Sequence, residues 1–171
     1  MKARTRELAV AFAGVGALAL TLGRGALPVY VWNVTASVPV GLYRLQPTRE
    51  RYVSELVAIM PPASLATFLA DGKYLPRGVP MLKHVLALPG QTVCREELVV
   101  TVDAVATGTA RERDGQGRLL PVWQGCRVIG SGELFLMNPR SADSLDGRYF
   151  GPIPASAVVG RAHPVWIEKE D

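Results

Sequence analysis

Ser37 and Lys83 are the two side chains of this sequence whose types and surroundings suit them to do chemistry together. Ser37 lies in Asn33-Val34-Thr35-Ala36-Ser37-Val38-Pro39-Val40-Gly41-Leu42-Tyr43, where Pro39 and Gly41 set a turn that presents a hydroxyl. Lys83 opens the run Lys83-His84-Val85-Leu86-Ala87-Leu88-Pro89-Gly90. A serine hydroxyl is a weak nucleophile until a base within hydrogen-bond reach takes its proton. Lysine can be that base only when neutral, and apolar walls lower its pKa by penalising the charged form. Leu82, Val85, Leu86 and Leu88 are the walls expected here. Bringing a lysine from about 10.4 to about 8 costs roughly 3 kcal/mol of charge solvation. The pair would then run acyl transfer without histidine: Lys83 takes the Ser37 proton, the oxygen attacks a carbonyl, and backbone N–H groups near Ser37 hold the oxyanion. Neither histidine suits a Ser-His-Asp site, because His84 alternates to the strand face opposite Lys83 and His163 sits in a separate proline-flanked segment. The plainer reading of each residue is a turn serine and an edge-strand lysine that snorkels to water.

The elements that must position the pair read mostly as strands. Gly41 to Leu45, Glu55 to Met60, Met81 to Leu88, Thr92 to Cys94, Leu98 to Asp103, Gly125 to Val128, Glu133 to Met137 and Val158 to Ile167 are short apolar or alternating runs bounded by turn residues. Thirteen prolines and seventeen glycines fit many short elements of that kind. Ala63 to Ala70 is the one helical candidate, with Ser64 as its expected N-cap and Leu65, Phe68 and Leu69 on one face. Arg111-Glu112-Arg113-Asp114-Gly115-Gln116-Gly117-Arg118 reads as an exposed hairpin tip with Asp-Gly as its turn, its charges serving solubility.

At 171 residues, with 49% hydrophobic and 20% charged, the chain suits one domain with a real core. The net charge of +4 comes from basic residues scattered among acids, with no stripe, finger or helix-turn-helix pattern, which argues against a nucleic-acid partner. Lys2, Arg4 and Arg6 precede an uncharged run from Leu8 to Gly23 that Arg24 closes. Two readings fit: an uncleaved anchor, although about sixteen residues fall short of the roughly twenty a span needs, or a signal peptide cut after Ala17-Leu18-Ala19. The basic flank keeps that end cytoplasmic in both and sends the rest outside. We therefore divide the chain into an anchor or signal segment, 1–32, and an exported β-rich domain, 33–171, with about 91–130 as a smaller inserted β lobe. Two cysteines, Cys94 and Cys126, are too few for a zinc centre. In an oxidising compartment they would form one disulfide, contributing on the order of 3 to 4 kcal/mol. No metal or cofactor motif accompanies the site.

In order along the chain, Ser37 in its Ser-x-Pro-x-Gly-x-Tyr segment, Lys83 in Met81-Leu82-Lys83-His84-Val85-Leu86-Ala87-Leu88-Pro89-Gly90, and Ser144-Leu145-Asp146-Gly147-Arg148-Tyr149-Phe150-Gly151 resemble the signal peptidase I family of Ser-Lys proteases. The serine segment looks like the family's conjugative-transfer branch, the TraF peptidases. The resemblance covers nearly the whole chain. It implies a mainly β fold, a signal-peptidase-like coiled β-sheet or barrel with an N-terminal membrane anchor or signal helix. It also implies Ser37, Lys83 and Asp146 as catalytic residues, with Arg148, Pro39 and Gly41 in support. Asp143, in Ser141-Ala142-Asp143-Ser144, competes with Asp146 for the acidic position, and Asp146 is preferred because Gly147-Arg148-Tyr149-Phe150-Gly151 follows it directly. Met137-Asn138-Pro139-Arg140 stands where general signal peptidases carry a gly-asp-asn run, so that loop departs from the pattern.

The implied function is a serine endopeptidase of the bacterial inner membrane with its catalytic domain in the periplasm. Its substrate would be an exported protein or pilin precursor, and type IV secretion components of conjugation its companions. Peptide cyclisation follows if an amine rather than water resolves the acyl-enzyme. Two other readings stand beside it: a non-catalytic envelope scaffold of the same apparatus, and an intracellular self-cleaving repressor, disfavoured by the export pattern and the lack of a DNA-binding N-terminal domain.

Overall fold

The computed structural model describes residues 29–48 and 50–168, so the apolar segment from Leu8 to Gly23, and with it the choice between anchor and signal peptide, lies outside the described residues. The elements run β1 (Tyr30–Asn33), β2 (Gly41–Gln46), β3 (Leu56–Ile59), α1 (Ala63–Asp71), β4 (Met81–Ala87), β5 (Thr92–Glu96), β6 (Val99–Val102), β7 (Val105–Thr109), β8 (Gly125–Val128), β9 (Glu133–Met137), α2 (Gly147–Phe150), β10 (Ile153–Pro154) and β11 (Val158–Ile167). A 3-10 turn, Ala155–Ala157, joins the last two. The fold is mainly β. Seven strands form one antiparallel sheet in the order β1-β2-β11-β3-β4-β9-β10, and β7-β6-β5-β8 form a second sheet inserted in the chain between β4 and β9.

Both faces of the centre of the large sheet are covered, which explains why β3 and β4 read as continuous apolar runs rather than clean alternation. On β3 the neighbours Val57, Ala58 and Ile59 point alternately to opposite sides and are all buried. Ala58 joins Val38, Tyr43, Leu45, Leu82 and Ala162 on one face, and Val57 and Ile59 join Val85, Leu134, Leu136 and Ile153 on the other. A third cluster, Ala87, Val93, Val100, Val102, Ile129, Phe135 and Met137, draws side chains from both sheets, so the small sheet shares a core with the large one. Each fully buried Val, Leu, Ile, Phe or Met among them contributes roughly 1.5–3 kcal/mol.

Three sequence expectations change. Ser64 is not the N-cap of α1: the helix starts at Ala63 behind Pro62, without a side-chain cap, because the proline sets the chain direction one residue too early. The 111–118 hairpin is not a free solvated tip. Asp114 accepts hydrogen bonds from the Tyr74 hydroxyl (2.6 Å) and Arg118 Nε (2.6 Å), while Arg118 Nη1 donates to the Gly72 carbonyl (2.6 Å), which fastens the arm to the segment after α1. The sheet also begins earlier than the alternation suggests: β1 pairs with β2 from Tyr30↔Arg44 to Asn33↔Gly41.

At the start of β2, Gly41 has φ +153°, and a Cβ there would lie 2.2 Å from the Trp166 carbonyl oxygen of β11. Backbone cannot yield as a flexible side chain can. Gly41→Ala is expected to lower unfolding stability by roughly 2 kcal/mol, read from denaturant midpoints at constant m-value.

Candidate active site

The loop between β1 and β2 is wound around one side chain. Asn33, buried at the end of β1, donates from Nδ2 to the carbonyls of Thr35 (2.7 Å), Val38 (3.0 Å) and Pro39 (3.1 Å). Its Oδ1 accepts from the Thr35 N–H (3.3 Å) and hydroxyl (3.0 Å). The Tyr43 hydroxyl donates to Pro39 O at 2.7 Å, and Val38 plugs into the core below. Ser37 is thereby held on a fixed turn, half-buried, with Oγ 3.2 Å from Thr35 Oγ1. The Thr35 proton is committed to Asn33, so Ser37 is the donor in that contact. Pro39 and Gly41 act here through backbone: one supplies an acceptor carbonyl, the other a position without a Cβ.

Lys83 stands in the middle of β4, opposite Val57, and is 4% exposed. Its Nζ donates to Ser144 Oγ at 2.7 Å. Burial is the main cause that lowers its pKa to about 8; the Asp146 carboxylate pulls it back up and the Arg148 guanidinium pushes it further down. The walls differ from those expected, because Leu82 packs on the opposite face of the sheet. Ile59, Leu65, Leu136 and Leu145 line the small cavity beside Lys83 instead.

The third segment is organised by Asp146, whose carboxylate is buried and fully engaged. Its oxygens accept from the Arg148 N–H (3.1 Å), Arg148 Nε (2.9 Å), Arg148 Nη2 (2.9 Å) and the Asn138 N–H (3.0 Å), which caps α2. Arg148 Nη2 also donates to the carbonyls of Ser141 (2.6 Å) and Ser144 (3.2 Å), fixing the turn that aims Ser144 at Lys83. Asp143 has its side chain 79% exposed and pairs with Arg111 at the surface. Asn138, in the loop that departs from the family pattern, ties this segment to β4: Nδ2 donates to Leu82 O (3.1 Å), and Oδ1 accepts from the His84 N–H (3.2 Å). His84 Nδ1 also meets Asn138 Oδ1 (3.1 Å), which occupies that ring on the far side of the strand from Lys83.

Ser37, Lys83 and Ser144 line one cavity of about 550 Å³, whose far wall is the 111–118 arm. No hydrogen bond joins Ser37 to Lys83 among the described residues; each is held by another hydroxyl, Thr35 for one and Ser144 for the other. A catalytic contact often tightens only when substrate is present. Ser144, Thr35 and Asn33 had no role in the sequence reading, although all three sit inside the segments quoted there. Cys94 and Cys126 face each other across β5 and β8 and are bonded, away from this cavity.

A sequence profile described as "Signal peptidase, peptidase S26" matches residues 3–167. The chain is similar to the conjugal transfer protein TraF of Agrobacterium fabrum, at 36% identity over 95% of this chain and 97% of the relative. It is also similar to a plasmid transfer protein TraF of Escherichia coli, at 32% identity over 91% of this chain and 92% of the relative. Among solved structures, a signal peptidase I of Enterococcus faecalis overlays 67% of this chain and 98% of its own at 15% identity, with a TM-score of 0.41.

A buried ammonium that would rather be neutral also weakens the fold. With the folded pKa near 8 and the unfolded value near 10.5, the unfolded chain binds more protons between those values, so this contribution rises with pH across that window. The cost is complete below pH 8. Lys83→Met, which keeps the stem volume and removes the charge, is expected to be more stable than wild type by about 2–3 kcal/mol at pH 7. Denaturant melts should show the gap narrowing as pH is raised from 7 to 10.

Proposed function

This chain belongs to the signal peptidase family S26, and on that premise we propose that it is a serine endopeptidase in which Ser37 is the nucleophile and Lys83 the general base. The single observation that carries the reading is the buried Lys83 Nζ, held by Ser144 in the same cavity as the Ser37 hydroxyl. In the resting site Ser37 donates to Thr35, so the first step is a turn of its Oγ from Thr35 toward Lys83. Neutral Lys83 takes the proton as Oγ bonds to the scissile carbonyl carbon. The Ser37 N–H is the donor assigned to the developing oxyanion, because the Thr35 hydroxyl proton is committed to Asn33 Oδ1. The lysine ammonium then returns its proton to the leaving amine, and the acyl-enzyme passes to water or to a second amine. Asp146 and Arg148 are positioning residues in this scheme, because they reach Lys83 through Ser144 and through charge.

The named relatives function in conjugal or plasmid transfer, which supports an exported precursor, a pilin among them, as substrate, with cyclisation as the outcome if an amine enters. A membrane-facing, periplasmic setting is supported by the export pattern of residues 2–24 and by aromatic surface near the site. Trp32 and Trp166 stack at 5.5 Å and are each more than half exposed, beside exposed Tyr30, Val34, Val165 and Ile167. Residues with an apolar body and a polar tip suit a membrane–water interface.

Ser37→Ala and Lys83→Ala should each reduce precursor processing at least about a thousandfold with the melting transition retained. Normal processing by both variants would falsify the enzymatic reading. In wild type, kcat/KM should rise tenfold per pH unit and level off near pH 8, where Lys83 becomes neutral. A flat profile from pH 6 to 9 rules Lys83 out as the base. Mass spectrometry of the product's new C-terminus, free acid or amide to an amine, separates hydrolysis from cyclisation.

A further inference from the structure

The small sheet touches the candidate site at two points that have no part in the scheme above. Arg95, on β5, is 1% exposed and pairs with no carboxylate among the described residues; its Nη1 donates to the Arg148 carbonyl at 2.6 Å and its Nε to the Glu97 carbonyl at 3.1 Å. Trp123, just before β8, donates from Nε1 to the Gly147 carbonyl at 2.9 Å, with its ring packed edge-on against Phe135. A one-turn helix pairs few of its carbonyls internally; in α2 the Gly147 carbonyl already accepts the Gly151 N–H at 3.0 Å. Two carbonyls of α2, those of Arg148 and Gly147, receive side-chain donors from the inserted lobe, one from strand β5 and one from the loop before β8. α2 is also the element that Asp146 caps and from which Arg148 reaches back to the Ser144 carbonyl, so these two donors fix the base of the turn that holds Lys83.

The disulfide belongs to the same construction. Cys94 precedes Arg95 in β5, and Cys126 lies opposite it in β8, three residues beyond Trp123. β8 is an edge strand whose four residues are all exposed, so it buries no side chain to hold itself in place. Its ladder with β5, the Cys94–Cys126 bond and the hydrogen bonds between Gln124 and the Glu97 backbone (3.0 and 2.9 Å) keep the Trp123 limb beside the Arg95 limb.

We infer that Arg95 and Trp123 are positioning residues for the Ser144–Lys83 pair, acting through the carbonyls of Arg148 and Gly147, and that the Cys94–Cys126 bond holds the two donors in register. The inserted sheet is thus a brace for the base, and the site is complete only when the disulfide is formed. The inference rests on the role given to Lys83 above.

The test measures Lys83 directly, by pH-dependent acetylation with acetic anhydride followed by peptide mass spectrometry, beside kcat and KM on a precursor peptide. Trp123→Phe keeps the ring and removes the donor; Cys94→Ala with Cys126→Ala removes the bond; Val100→Ala weakens the lobe core without touching α2. Loosening α2 admits water to the ammonium, so the first two proteins should show the Lys83 midpoint moved about half a unit to one unit alkaline, with kcat near pH 7 down by about threefold to tenfold and KM unchanged. Combining them should add little to either. Val100→Ala should lower the melting temperature and leave the midpoint in place. A midpoint unmoved in both variants, or moved as far by Val100→Ala, overturns the inference. If Lys83 behaves as expected while wild type never acylates at Ser37, the brace stands and the peptidase reading fails.

Discussion

The constraint on which the structure turns is the burial of one ammonium stem in the centre of β4 without a carboxylate to satisfy it. Asp146 lies near enough to raise the Lys83 pKa, and a direct ion pair would hold the lysine charged through the neutral range. Arg148 prevents that by occupying the carboxylate from three nitrogens, the Asn138 N–H takes a fourth position, and Ser144 alone is left to meet the lysine. A hydroxyl accepts from the ammonium and can equally donate to the free amine, so it fits both protonation states. The buried Asp146–Arg148 pair is costly to desolvate in isolation, and its placement makes sense as a device for keeping negative charge near the lysine but unavailable to it.

The Ser37 side is organised on a different principle. Ser37 gains its position from a loop whose carbonyls converge on the single amide of Asn33, with the Tyr43 hydroxyl closing the far end. Lys83 sits on a rigid central strand, and Ser37 on a turn pinned to the end of an edge strand. One side of the site is fixed by burial and the other by local hydrogen bonding, which leaves the serine hydroxyl free to rotate.

Much of this was legible in the residue pattern, and the omissions have physical causes. The strands β8, β9 and β11 stand at the residues where alternation and turn signals put them. β1 was hidden because Tyr30-Val31-Trp32 reads as a continuation of the apolar N-terminal run, and β7 because Val105-Ala106-Thr107-Gly108-Thr109 has no buried face to give it a period. α2 is a single turn, too short for helical periodicity to register. At the site, Ser37 and Lys83 announce themselves through proline, glycine and apolar neighbours. Ser144 meets Lys83 from 61 residues away, and Arg95 and Trp123 work through main-chain carbonyls, which carry no signature of their own. The arm at 111–118 misled for a related reason: its charges look solvated until Tyr74, 40 residues upstream, is brought against Asp114.

The placement of β1 bears on reach. Because Tyr30 to Asn33 are laid into the sheet against β2, strand β1 and the turn bearing Ser37 belong to one rigid piece. The serine cannot swing on a tether to search for a bond. A peptide that meets Ser37 must come to a hydroxyl of fixed height on the sheet edge, so the turn sorts its partners by the direction from which they can approach.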